Sequence, residues 1–190
     1  YYWGLNKLND RYFLIRDVLD EFFDTDQLPQ VENDKDPFWD PEEPIDVGRC
    51  FLSFKPLSLL FDTEKTLRIY KETETVGTIH VKICPCSKAG DPLDEEEVQD
   101  YTDPMQLLGT NVHFYIEITK ANINPFYTKQ CYFQYRLNHD DFAEKIFKTE
   151  RLQSESGVMD FAFKETHTLN KLDESGLIFL TESKVAPVSY

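Results

Sequence analysis

Apolar residues near the start of the chain recur at alternating steps. Leu5, Leu8, Tyr12, Ile15, Leu19 and Phe22 are spaced 3, 4, 3, 4, 3, the period of a coiled-coil seam. The pattern predicts a helix over residues 2–24, with neither Gly nor Pro interrupting it after Gly4. Trp3, Phe13, Val18 and Phe23 widen its apolar face beyond what a two-stranded zipper uses. Two placements are open, a coiled coil with another helix or an amphipathic helix docked on its own domain. Three heptads hold poorly in water alone, so either placement needs a partner surface. The six seam residues are therefore the candidate helix interaction site.

From residue 49 the period changes to two. Cys50, Leu52 and Phe54 alternate with Phe51 and Ser53 before Pro56. Ile79, Val81 and Ile83 alternate with His80 and Lys82 and stop at Pro85, as in a half-buried strand. Phe114, Ile116 and Ile118 repeat the pattern, then Cys131, Phe133 and Tyr135, then Val158, Phe161 and Phe163 less regularly. Leu177-Ile178-Phe179-Leu180 is an unbroken apolar run, read as a buried strand. A short helix is predicted at 140–148, capped by Asp140 or Asp141. Seven or eight short strands with turns between them predict a mainly β fold, an antiparallel β-sandwich.

Residues 26–48 join the two regions. Pro29, Pro37, Pro41 and Pro44 exclude helix and central strand there, and like charges keep the segment extended. Phe38 and Trp39 are costly to leave in water, so they are expected to anchor this linker on a folded surface. The expected divisions are 1–25 helix, 26–48 linker and 49–190 sandwich.

Charge changes this picture little. The net charge is −15, but residues 26–48 and 91–103 carry −7 each, which leaves the folded body near neutrality. The sign argues against nucleic acid and says little about other partners. No apolar run approaches the roughly 20 residues of a spanning helix. The four Cys and the lack of an N-glycosylation sequon favour a reducing, cytoplasmic setting. A start without Met suggests a piece of something longer.

Candidate chemistry is sparse. Cys84-Pro85-Cys86 is the one close cysteine pair, and His80, His113, His139 and His167 stand at no ligand spacing, so no metal site is expected. There is no Gly-rich phosphate loop and no Gly-x-Ser-x-Gly elbow. Asp94-Glu95-Glu96-Glu97 is read as a solvated spacer. Neither catalytic residues nor a cofactor are expected. If 140–151 is helical, Lys145, Lys148 and Arg151 form a candidate basic contact strip, either a solvated face or a contact for acidic lipid or an acidic partner.

One stretch carries more. Asp36-Pro37-Phe38-Trp39-Asp40-Pro41-Glu42, followed by Val47-Gly48-Arg49 and Phe51-Leu52, resembles the segment after the forkhead-associated domain of kinesin-3 motors. Tyr2-Trp3 and the seam stand where that family has a short coiled coil. Val76–Val81, Leu107-Leu108-Gly109 and Lys129–Tyr135 extend the resemblance over about 140 residues. It implies a non-catalytic part of a microtubule motor's tail, cytoplasmic and cytoskeletal, with the ATP-binding motor outside this chain. It further implies roles in autoinhibition, dimerisation and cargo or adaptor attachment. The partners would be a second copy, the motor or forkhead-associated domain, and a cargo adaptor. The later strands resemble a C2 sandwich. Gln130 stands where a calcium-binding member has Asp, which implies a calcium-independent, C2-like domain with membrane lipid as an alternative partner.

Overall fold

The alternating run Ile79, Val81, Ile83 lies in the second arm of a hairpin that spans residues 63–85. The computed structural model describes residues 4–27, 36–38, 44–94, 98, 101–182, 184–185 and 188–189, the last four as backbone only. The chain divides into two compact units, Tyr1–Pro44 and Ile45–Tyr190. The first contains helix α1, Leu5–Thr25, in agreement with the periodicity. It ends where Asp26 adopts a left-handed backbone and its N–H returns to the Phe22 carbonyl.

The second unit is built on four long antiparallel strands. Strands β3 (Thr63–Lys71), β4 (Glu74–Pro85), β5 (Val112–Ile123) and β8 (Val158–Leu169) lie side by side in that order. Four short strands extend the sheet beyond β3. These are β1 (Gly48–Arg49), β10 (Val188–Ser189), β6 (Phe133–Tyr135) and β7 (Phe147–Lys148), giving the order β7-β6-β10-β1-β3-β4-β5-β8. Strands β2 (Leu52–Ser53) and β9 (Lys184–Val185) form a separate two-stranded ladder.

The expected sandwich of two packed sheets is not what forms. One sheet curls until its first and last strands face each other. Phe133 on β6 meets Phe161 on β8 at 5.3 Å between ring centroids, and Phe147 on β7 meets His167 on β8 at 4.6 Å. Glu150, just after β7, accepts the Ala162 N–H of β8 at 3.0 Å. Register shifts at Ile69/Tyr70, His80/Val81 and Ile118/Lys120 supply the extra twist that lets a single sheet curl. Alternation marks which side chains point inward but not whether strands divide into two sheets or roll into one.

Two further expectations change. Leu177–Leu180 is not a strand but part of helix α2, Glu174–Glu182. A short apolar run suits a buried helix equally well, and Asp173 decides the matter. Its carboxylate accepts the Gly176 N–H at 2.8 Å and its carbonyl accepts the Leu177 N–H. Phe179 then packs on Phe54 at 5.1 Å. Nor is 140–148 a helix. A single 3-10 turn, Asp140–Phe142, takes its cap from the His139 ring and not from an aspartate. Asp141 instead accepts the distant Asn170 N–H at 2.8 Å. Glu144 then enters the left-handed region at φ 64°, and the chain leaves as β7.

The core is aromatic where the sheet closes. Phe54, Phe114 and Phe133 are fully buried, and Phe114 lies 5.2 Å from the His167 ring. His167 is itself 3% exposed, and its Nε2 meets the Tyr135 hydroxyl at 2.8 Å. Burial, with a smaller contribution from Lys145, lowers the imidazole pKa from 6.5 to about 4. The unfolded chain therefore takes up a proton near pH 6.5 that the folded chain refuses until about pH 4. Stability contributed by this group is complete above pH 6.5 and falls as the pH drops towards 4, by on the order of 3 kcal/mol. Urea unfolding across that window is expected to show a steeper pH slope for the natural chain than for His167→Gln. Equal slopes would remove His167 as the acid-sensitive group.

Candidate functional site

Helix α1 buries none of its residues fully. Lys7, Arg11, Ile15, Val18 and Phe22 form a half-buried face, while Leu5, Leu8, Tyr12 and Leu19 lie open, 44–73% exposed. The predicted seam is thus split lengthwise. Ile15 and Phe22 fall on its covered flank, and the other four form an uncovered stripe continued by Phe23. A polar contact missed by sequence reasoning fixes the covered side. Arg11 Nη1 donates to the Pro37 carbonyl at 2.9 Å, and Pro37 is buried. A backbone acceptor leaves no mark in the sequence, so nothing there signalled it. Phe38, expected as an anchor, is 61% exposed, and its N–H is held by the Asp36 carboxylate in a local turn. The ring is therefore not pinned by burial; Pro37 takes that position. Trp39 lies outside the described residues.

The basic strip is not assembled by a helix. Lys148 leaves β7 and places its Nζ 5.7 Å from the Tyr132 ring centroid, and the Arg151 guanidinium sits 5.3 Å from the same ring. These two are brought to one aromatic ring, each in a cation–π contact worth about 0.5–1 kcal/mol at exposed sites. Lys145 precedes the strand and acts on His167, where its charge helps keep the imidazole neutral. Sequence spacing grouped three bases that the fold separates into two settings.

The remaining polar groups act within the sheet. His80 bridges Glu64 at 2.8 Å and Thr66 at 3.1 Å across the β3–β4 ladder, on a solvent-facing side. Among the described residues, no three His, Cys, Asp or Glu side chains converge to hold a metal ion. A cleft of about 440 Å³ is lined by Leu60, Phe61, Asp62, Lys82, Cys84 and Leu93 among others. Its apolar lining carries one cation, one carboxylate and one thiol. All four cysteines are buried thiols outside any disulfide. Burial pushes the Cys50 thiol up to about 12 and the Cys131 thiol up to about 11. Cys86 is raised by burial first and by Cys84 second. Such thiols are poor nucleophiles, since the thiolate is the reactive form. Among the described residues, the open stripe of α1 combines exposed apolar area with a repeating geometry.

No family model matches the chain. Over 120 residues, 63% of its length, it is 32% identical to the kinesin-like protein KIF28P of Homo sapiens. It is 28% identical over the same extent to the kinesin-like protein KIF28 of Mus musculus. The matched stretch spans 12% of the human protein and 11% of the mouse protein, so the chain corresponds to a small part of each. Among the described residues no helix is long and apolar enough to cross a membrane.

The thiol environment has a direct readout. An aromatic disulfide reagent at pH 8 is expected to modify the native protein slowly and to react with all four cysteines once denaturant is added. Rapid native labelling of any one of them would contradict its burial.

Proposed function

We propose that the chain is a non-catalytic tail segment of a kinesin-3-type microtubule motor, working in the cytoplasm on microtubules. Helix α1 is its association element, used in dimerisation and in docking on the motor or forkhead-associated domain to hold the motor at rest. The curled sheet domain is its attachment module for a cargo adaptor. The observation carrying this reading is the stripe Leu5, Leu8, Tyr12 and Leu19, exposed along one side of a 21-residue helix. The partial likeness to KIF28-type kinesin-like proteins and the Asp36–Glu42 pattern support placing it in a motor. A single open seam offered to two alternative surfaces is a two-state element, since occupying one surface frees the other.

A second reading has one observation in its favour. Phe126 is 81% exposed at the tip of the turn Pro125–Tyr127, beside Tyr127 and the Lys71 ammonium that lies 5.1 Å from its ring. An apolar tip with a neighbouring cation suits calcium-independent contact with a lipid surface. Flotation with liposomes containing anionic lipid is expected to leave the chain at the bottom under the first reading. Co-flotation lost in Phe126→Ser would establish the second.

The first reading makes its own demand on the helix. Full burial of each large apolar side chain is worth about 1.5–3 kcal/mol. Leu8→Asp combined with Ile15→Asp is therefore expected to weaken self-association by roughly a hundredfold or more in sedimentation. In the full-length motor the same pair is expected to raise resting microtubule-stimulated ATPase. If neither changes, α1 is structural only.

A further inference from the structure

The cleft of about 440 Å³ in the sheet domain is built by two chain segments beside the end of β4. One segment supplies Leu60, Phe61 and Asp62, the other Leu93 and Val98, and β4 supplies Lys82. Leu60 takes a left-handed backbone at φ 57°. Its N–H donates to the Leu57 carbonyl at 3.0 Å, and the Phe61 N–H donates to the Pro56 carbonyl at 3.1 Å. This turn keeps Leu60 buried and delivers Phe61 to the surface, where its side chain lines the cleft and is 52% exposed. The second segment is also tied down. The Leu93 N–H donates to the Pro85 carbonyl and the Val98 N–H to the Asp94 carbonyl, both at 3.3 Å. An aromatic ring is thus held in water at an apolar space whose volume suits a ligand or a short run of side chains.

The charge around this space is mostly negative. Asp62 stands in the lining, and Asp91 and Asp94 bracket Pro92 and Leu93. Residues 91–103 hold seven acids and no base. Lys82 is the cation of the lining, and it lies opposite Glu64 in the β3–β4 register. A neutral small molecule would make no use of a field spread over two chain segments. A second copy of the domain would bring the same acids to the same place, which disfavours it. A peptide with an apolar side chain between basic flanks meets the cleft and the field together.

We propose that this cleft receives an apolar side chain from a partner segment whose flanking residues are Lys or Arg. The proposal rests on the reading of the sheet domain as an attachment module, and it adds the surface used and the partner's chemistry. Phe61 supplies the aromatic contact, and Asp62 and Asp94 draw the flanking bases.

Fluorescence anisotropy with the 190-residue chain and three labelled synthetic peptides tests this. The first peptide places Phe-Leu between two Lys-Arg pairs, the second replaces Phe-Leu by Ser-Ser, and the third replaces each Lys-Arg pair by Glu-Asp. The first is expected to bind, with the other two weaker by roughly tenfold or more. Its affinity is expected to fall as NaCl is added, because the opposed charges are screened. Phe61→Ser is expected to cost roughly tenfold, while Phe51→Ser, at a ring 60% exposed but outside the lining, changes nothing. Asp62→Asn combined with Asp94→Asn keeps the shapes of both side chains and is expected to flatten the salt dependence. Equal thermal midpoints for all variants show that each is folded. Tighter binding of the acidic peptide would mean that Lys82 sets the sign, and would overturn the proposal. Binding of the first peptide that is indifferent to Phe61→Ser overturns it too, as does failure of all three peptides to bind. These failures leave the broader attachment reading standing. That reading falls separately, if a full-length motor lacking residues 45–190 still carries its cargo.

Discussion

A curled sheet must do something with its two ends, and here the ends are joined by side chains and not by a backbone ladder. Between β8 and the β6–β7 pair stand the Tyr135–His167 hydrogen bond, the Phe133–Phe161 and Phe147–His167 ring contacts, and the Glu150 carboxylate on the Ala162 amide. The rest of the second unit depends on this junction. It encloses Phe114, gives Phe142 a wall, and leaves the imidazole with a hydroxyl partner in place of water. A neutral imidazole and a protonated phenol suit one another in such a setting, and both are held in those forms by burial. Glu150 has a separate task. Its carboxylate satisfies an amide on the outer strand that would otherwise be available to a foreign strand.

The two units use their polar groups differently. In the sheet, polar side chains are mostly turned to local tasks, such as Asp173 at the start of α2 and Asp141 on the Asn170 amide. In α1 the charges make few described contacts within the helix, and the apolar stripe beside them stays open. A sheet domain with a closed aromatic core, attached to a helix with an open apolar stripe, has the organisation of a scaffold carrying an interaction element. This contrast, more than any pocket, gives the proposed role its physical content.

Much of the architecture was legible in the residues, for identifiable reasons. The 3,4 spacing of Leu5 through Phe22 specifies α1, and strict alternation over Ile79–Ile83 and Phe114–Ile118 specifies β4 and β5. These patterns are long and have one solution. Leu177–Leu180 was too short for its period to distinguish strand from helix, and the deciding residue, Asp173, lay outside the run. Lys145, Lys148 and Arg151 were grouped by helical arithmetic in a segment that forms a turn and a strand. The curl of the sheet was not legible at all, since it depends on bulges and on pairings between residues far apart in the chain. Of the candidate site, the seam residues could be named but not their division into covered and open flanks. That division depends on a carbonyl at Pro37, which carries no side-chain signal.

The position of β10 in the sheet has a consequence for how the domain is made. Strand β1 pairs on one side with β3, a near neighbour in sequence, and on the other with β10, about 140 residues later. Strand β6 reaches β1 only through that late strand. During synthesis the β3–β4–β5 meander can form as it emerges, and β6 and β7 can reach it through their side-chain contacts with β8, but the backbone ladder from β1 to β6 must wait for residues 188–189. Closing so long a loop is entropically slow, and the delayed contacts are the distant ones. A nascent chain would thus spend its waiting time as a preformed meander with one unpaired flank at β1, the stage at which the sheet is most open to wrong partners.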